Sequence, residues 1–232
     1  MGDTYAEVGS FSNDDLLQSP RFSSLNLKVS KVFLVSMGGK MITYEPIVLD
    51  LKKVELSDEQ FYQLCNANET WRIEQNAKGE LIIMPPIGAI SGNRESDLNG
   101  YVWLWNRQTK LGKVFSSSTI FTLPRGGRRS PDVAWIANDR WEALTLAEQE
   151  RFSPICPDFV IELKARTDSL KLLQEKMQEY LDSGLRLGWL INPQSQQVEI
   201  YRQNQPIEIV SLPTNLSGED VLPGFILELP IF

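Results

Sequence analysis

The sequence predicts a mixed α/β domain, a central sheet with helices on its faces and an added N-terminal hairpin. Three observations carry this expectation. Helical and strand patterns come in the order helix, hairpin, helix, several strands, helix, two strands, an order that calls for a sheet flanked by helices. Asp158 to Lys164 is a short, apolar, β-branched run of the kind a buried strand needs. With 232 residues, 42% of them hydrophobic, and six Trp, the chain can bury one sizeable core, so one domain (41–232) behind an N-terminal extension (1–40) accounts for it.

Each element has its own signal. Residues 1–40 are Ser-rich and mixed, with a Val-rich patch at 29–35 suited to a short strand, and Met41 reads as an alternative start. Gly38-Gly39-Lys40 lacks the spacing and the Ser/Thr of a phosphate-binding loop and reads as a turn. Ser57-Asp58-Glu59-Gln60 is a capping box, and Phe61, Leu64 and Cys65 follow at helical spacing, which predicts a helix over 58–66. Residues 71–75 and 80–84 pair as a hairpin turning at Ala77-Lys78-Gly79 and closed by Pro85-Pro86. After a loop over 88–92, Leu98, Tyr101, Val102 and Trp105 mark a helix over 93–109 with Glu95 and Asp97 in its first turns.

A second hairpin joins 114–123 to 132–136 through Gly126-Gly127. An acidic, Trp-containing connection leads to the 158–164 strand. Thr167 or Asp168 caps a helix over 169–182 that Ser183-Gly184 stops, and residues 187–191 and 198–201 form two strands turned by Asn192-Pro193.

Composition removes whole classes of chemistry. The chain has no His, which excludes Ser-His-Asp and Cys-His nucleophiles and HExxH zinc hydrolases and leaves carboxylates, Lys, Tyr and a hard cation. Cys65 and Cys156 lie far apart and form no CxxC, so they read as buried structural thiols. No run approaches the roughly 20 apolar residues of a membrane span. Asp3, Glu7, Asp14 and Asp15 occupy the region where a signal peptide is basic, so a cytoplasmic location without a membrane partner is expected. A net charge of −7 argues against a surface coated for nucleic acid but permits a local basic groove.

Side chains alternate across a strand, which puts Phe159, Ile161 and Leu163 on one face and Val160, Glu162 and Lys164 on the other. A carboxylate and an ammonium on an apolar strand are costly to bury unless they are paired or bound to a metal. Glu162 and Lys164 are therefore either a buried ion pair, with Asp132 an ordinary strand-start acid, or parts of a metal site.

Ser130-Pro131-Asp132, some thirty residues before Ile161-Glu162-Leu163-Lys164, resembles the PD-(D/E)XK nuclease superfamily. Within it, residues 80–86 (ELIIMPP), 129–133 (RSPDV), 157–164 (PDFVIELK), 180–192 (YLDSGLRLGWLIN) and 216–225 (LSGEDVLPGF) are similar, in order, to the Uma-two-like family of bacterial restriction-endonuclease-like proteins, over about residues 45–232. The resemblance implies a restriction-endonuclease-like fold with Asp132 and the Glu-x-Lys on adjacent strands and an acid from an earlier helix nearby. It implies a Mg²⁺-dependent endonuclease acting on DNA, with Mn²⁺ as a substitute. Asp132, Glu162 and the backbone carbonyl of Leu163 would hold the ion, and Lys164 would orient the attacking water or offset developing charge.

Asp97 is the preferred helix acid because, as in the family, it directly precedes an apolar residue; Glu95 is the alternative, and either can be an ordinary first-turn acid favoured by the helix dipole. One superfamily branch carries a Gln four residues before a Tyr on the following helix. Here Lys176 precedes Tyr180 and reads as a surface lysine. Arg125, Arg128, Arg129, Arg166 and Lys171 are phosphate contacts or, taken singly, solvated loop charges. A homodimer is expected if two strands are cut by two subunits. The competing readings are a non-catalytic binding or assembly module that keeps the fold, and a carboxylate-pair glycosidase. The second is disfavoured because Lys164 beside Glu162 would hold a would-be general acid ionised.

Overall fold

Two large sheets organise the chain. The computed structural model describes residues 46–51 and 54–230, together with β1 (Leu16–Leu17) paired antiparallel to β2 (Leu27–Lys28). The expected strand at 29–35, and nearly all of the extension assigned to 1–40, lie outside the described residues.

β3 (Ile47–Leu49) precedes α1 (Asp58–Ala67), which the capping box starts: Ser57 Oγ accepts the Gln60 amide and Gln60 Oε1 accepts the Ser57 amide. β4 (Arg72–Gln75) and β5 (Leu81–Met84) form the expected N-terminal hairpin, with Gly79 in the left-handed region at φ 83°. α2 (Ala89–Thr109) starts at Ala89 rather than 93, so the expected 88–92 loop is mostly helix and Glu95 and Asp97 lie beyond its first turn.

The second hairpin is divided between the sheets. β6 (Gly112–Ser116), β7 (Phe121–Thr122), β8 (Arg128–Arg129) and β9 (Val133–Ala137) follow one another. β6 pairs with β9 and β7 with β8, and the tip turns on Gly126 and Gly127, both with positive φ. The chain thus crosses between sheets at residues 117–120 and again at 130–132, which places Asp132 at the fork.

α3 (Asn138–Glu142) and α4 (Leu146–Gln149) occupy the acidic connection. β10 (Phe159–Leu163), α5 (Leu170–Asp182) and β11 (Leu187–Asn192) form a parallel β-α-β unit; the N-cap of α5 is Ser169, not Thr167 or Asp168. β12 (Gln197–Arg202), β13 (Glu208–Ser211), β14 (Thr214–Ser217) and β15 (Ile226–Leu229) complete the chain.

The six-stranded sheet has the order β13-β12-β11-β10-β9-β6 and the five-stranded sheet β3-β5-β4-β8-β7, with β14 and β15 a separate pair. One face of the larger sheet buries Phe159, Ile161, Leu163 and Trp189 against Leu98, Val102 and Trp105 of α2 and against β14 and β15. Its other face buries Val160 and Leu190 against Met177 and Tyr180 of α5. The alternation read from the sequence therefore assigns the faces of β10 correctly. A third core under the smaller sheet joins Leu49, Ile73 and Leu81 to Phe61 of α1.

Candidate active site

Asp132 sits where the β9–β10 ladder opens. The register ends at Ile161 opposite Val133, so the amide of Leu163, two residues further along, donates instead to Asp132 Oδ2 at 2.8 Å. Asp132 Oδ1 lies 3.4 Å from Arg72 Nη2. The preceding turn is fixed from the smaller sheet: Glu74 Oε1 accepts the Ser130 amide at 3.0 Å, and the Ser130 carbonyl accepts from Arg72 Nη2 at 2.9 Å and from Lys176 Nζ at 3.0 Å.

Glu162 projects to the α5 face, 2% exposed, where Lys176 Nζ lies 2.8 Å from its Oε1 and the Tyr180 hydroxyl donates to the same oxygen at 3.1 Å. Lys176 also reaches Glu74 Oε1 at 2.9 Å, and Arg129 ties Glu74 Oε2 at 3.0 Å to Glu179 Oε2 at 2.7 Å. A buried chain of alternating charge thus runs from the small sheet through α5 to β10. Burial pushes the Glu162 carboxyl up to about 8, against the downward pull of Lys176, with Asp132 and Glu74 adding to the rise. Glu74 is drawn down to about 2, because Lys176, Arg129 and Arg72 outweigh its burial. Burial disfavours the Lys176 ammonium, but Glu162 and Glu74 together raise it above its ordinary value.

Several expectations need correction. Lys164 makes no ion pair with Glu162; it follows the last residue of β10, and its ammonium donates to the Ala165 carbonyl at 3.0 Å and to Gln194 Oε1 at 3.2 Å. Lys176 is no surface lysine but 5% exposed, because Leu173, Lys176, Met177 and Tyr180 share the inward stripe of α5. Arg129 is likewise buried in ion pairs rather than solvated, and Arg128 is held by Asp58, Gln75 and the Leu56 carbonyl. Arg125, Arg166 and Lys171 are exposed, and Arg166 lines the cleft described below.

The two helix acids lie in different surroundings. Glu95 shares the face of Leu98, Val102 and Trp105 at spacings of three and four, whereas Asp97, one residue before Leu98, is rotated by about 100° and exposed. The carboxyl of Glu95 is raised by burial and then by the nearby Asp132, with Ser117 acting in the opposite direction. Cys156 is buried and Cys65 half-buried, and both are free thiols.

Arg72, Glu74, Glu95, Asp132, Glu162 and Lys176 line one cleft of about 310 Å³, whose other wall is apolar: Ile82, Met84, Pro85, Ile87 and Leu172. Arg72 and Glu74, both from the added hairpin, carried no sequence signal beyond an ordinary strand pattern. Arg72 Nε is buried beside Asp132 with no hydrogen-bond partner among the described residues, a donor suited to an anion. Among the described residues no three carboxylates or thiols converge as a ready cation cage. The donor chemistry fits a hard cation that takes one or two carboxylates and keeps its waters, here Asp132 and Glu162.

The comparisons agree with this architecture. The crystal structure of "a putative nuclease belonging to DUF820" from Anabaena variabilis ATCC 29413 superposes with a TM-score of 0.58 at 22% identity, over 68% of this chain and 87% of that one. The fold is thus restriction-endonuclease-like, a mixed α/β core flanked by helices. No curated protein matches the chain. No helix among the described residues is long and apolar enough to cross a membrane. The model of the Uma2 family, described as "Putative restriction endonuclease", matches residues 58–230, and the chain belongs to that family.

Proposed function

We propose that the protein is a Mg²⁺-dependent endonuclease that hydrolyses phosphodiester bonds in DNA in the cytoplasm. The observation that carries this reading is the meeting of Asp132, Glu162 and Lys176 on one cleft, from β10, α5 and the fork between the sheets. Asp132 and Glu162 would hold the cation, with Mn²⁺ as a substitute, Glu95 as the adjoining acid in place of Asp97, and the Leu163 carbonyl as a further oxygen. When bound, such an ion acidifies a water and offsets charge on the phosphate.

The chain's own residues would supply the rest. Lys176 keeps an ammonium against Glu162, the place assigned by sequence to Lys164, and balances negative charge on the scissile group. The unpaired Arg72 Nε–H would donate to a phosphate oxygen. The Asp132–Leu163 hydrogen bond fixes one metal-binding carboxylate to the strand that bears the other. Cutting both strands of a duplex would call for two copies of the chain.

One observation favours a second reading, a non-catalytic binding module. Lys176 and Tyr180 together satisfy Glu162 Oε1 without a cation. Calorimetry separates the two: Mg²⁺ or Mn²⁺ should bind the wild type and fail to bind Asp132→Asn. Absence of binding to the wild type would favour the module.

A further inference from the structure

Glu95 and Asp132 line two cavities, the cleft already described and, on the α2 side, a groove of about 430 Å³ that Trp103 also lines. Both volumes fall within the roughly 300–1,000 Å³ of small-ligand clefts, which leaves room for a base and its sugar. Trp103 is 51% exposed, although its neighbour Val102 is fully buried, so a large indole of the groove's lining stands partly in solvent. Arg107, one turn further along α2, lies over that ring with its guanidinium carbon 5.3 Å from the centroid. Ser96 and Gly100 line it as well, and a Cβ built at Gly100 would meet no atom within 4 Å, so the space beside the helix there is open.

We infer that the strand is unpaired where it is cut, with a nucleobase next to the scissile phosphate lying in this groove and stacking on Trp103. The inference rests on the nuclease reading and narrows its substrate to single-stranded or locally unpaired DNA. An exposed aromatic beside a cation is the usual platform for an unpaired strand, since every base has a π face and the cation follows the backbone. Asn99, on the same wall, offers an amide to a base edge; its Nδ2 donates to the Phe115 carbonyl at 3.1 Å, which fixes its orientation. A base can enter such a groove only after leaving its stack, which costs least where the partner strand is absent.

The test is fluorescence anisotropy with labelled DNA of about 16 nucleotides, single-stranded or as a blunt duplex of the same sequence, in Ca²⁺. Single-stranded DNA should bind more tightly than the duplex. Trp103→Ala should weaken single-strand binding by roughly ten- to a hundredfold, Trp103→Phe by less than about threefold, and Leu104→Ala, exposed on the same helix but outside the groove, should change nothing. Wild-type affinity in Trp103→Ala, or duplex bound as tightly as single strand, overturns the inference and leaves the nuclease reading standing. Failure of the wild type to bind either DNA overturns both.

Discussion

Lys176 Nζ lies 2.8 Å from Glu162 Oε1, while the ammonium two residues beyond Glu162, that of Lys164, is turned to the Ala165 carbonyl and Gln194. The cation that serves the buried carboxylate therefore comes from α5, not from the strand. Glu162 gains a partner that also holds Glu74 and the Ser130 carbonyl, so one side chain couples both sheets to the turn before Asp132.

Removing the two lysines should have unequal effects on stability. Lys176→Met leaves the buried Glu74 carboxylate, and above about pH 8 Glu162 as well, short of its cation and should cost about 3–5 kcal/mol in urea unfolding. Lys164→Met should stay within about 0.5 kcal/mol, because its two hydrogen bonds are peripheral. Equal costs would refute the assignment.

The helix acids offer a matched pair. Glu95→Gln should weaken Mn²⁺ binding and lower cleavage, whereas Asp97→Asn, on the exposed face, should leave both unchanged. Isothermal titration with Mn²⁺ and initial rates on one DNA substrate read the two effects; loss at Asp97 alone would restore the sequence-based preference.

The dependence of stability on pH has two arms of opposite sign. Burial raises Glu162 above its ordinary 4.5 to about 8, so in this window the folded form holds a proton that the unfolded chain releases, and stability falls as pH rises between those values. Glu74, held at about 2 by Lys176 and Arg129 against its burial, contributes stability that is present above 4.5 and is lost as pH falls towards 2. In EDTA the wild type should melt higher near pH 5 than near pH 8, and Glu162→Gln should flatten this arm while leaving the acid arm in place. A Glu162→Gln melting profile that parallels the wild type from pH 5 to 8 would contradict the shift.

Much of the fold around the candidate site was legible from local pattern. Alternation alone put Glu162 on the face opposite Ile161, and the Ser57 box and the Ser183-Gly184 stop bounded two helices to within a residue or so. Other parts depended on tertiary contacts. The 88–92 stretch, with Gly at both ends, reads as loop by propensity, yet α2 runs through most of it. A hairpin split between two sheets leaves no trace in its turn signals, and β13 and β14 are too short and polar to stand out. Lys176 was readable in principle, since it falls on the Leu173–Met177–Tyr180 stripe. The general rule that lysines are solvated hid it, and the carboxylates brought by β4 and β10, with the Ser130 carbonyl, make its burial tolerable.

A metal-dependent phosphodiesterase site at Asp132 and Glu162 would show itself in DNA cleavage in Mg²⁺ with single-stranded, duplex and branched substrates. The wild type should cleave, EDTA should abolish the cleavage, and Asp132→Asn and Glu162→Gln should each lack it while remaining folded. No cleavage of any substrate by the wild type, or undiminished cleavage by either variant, would contradict such a site.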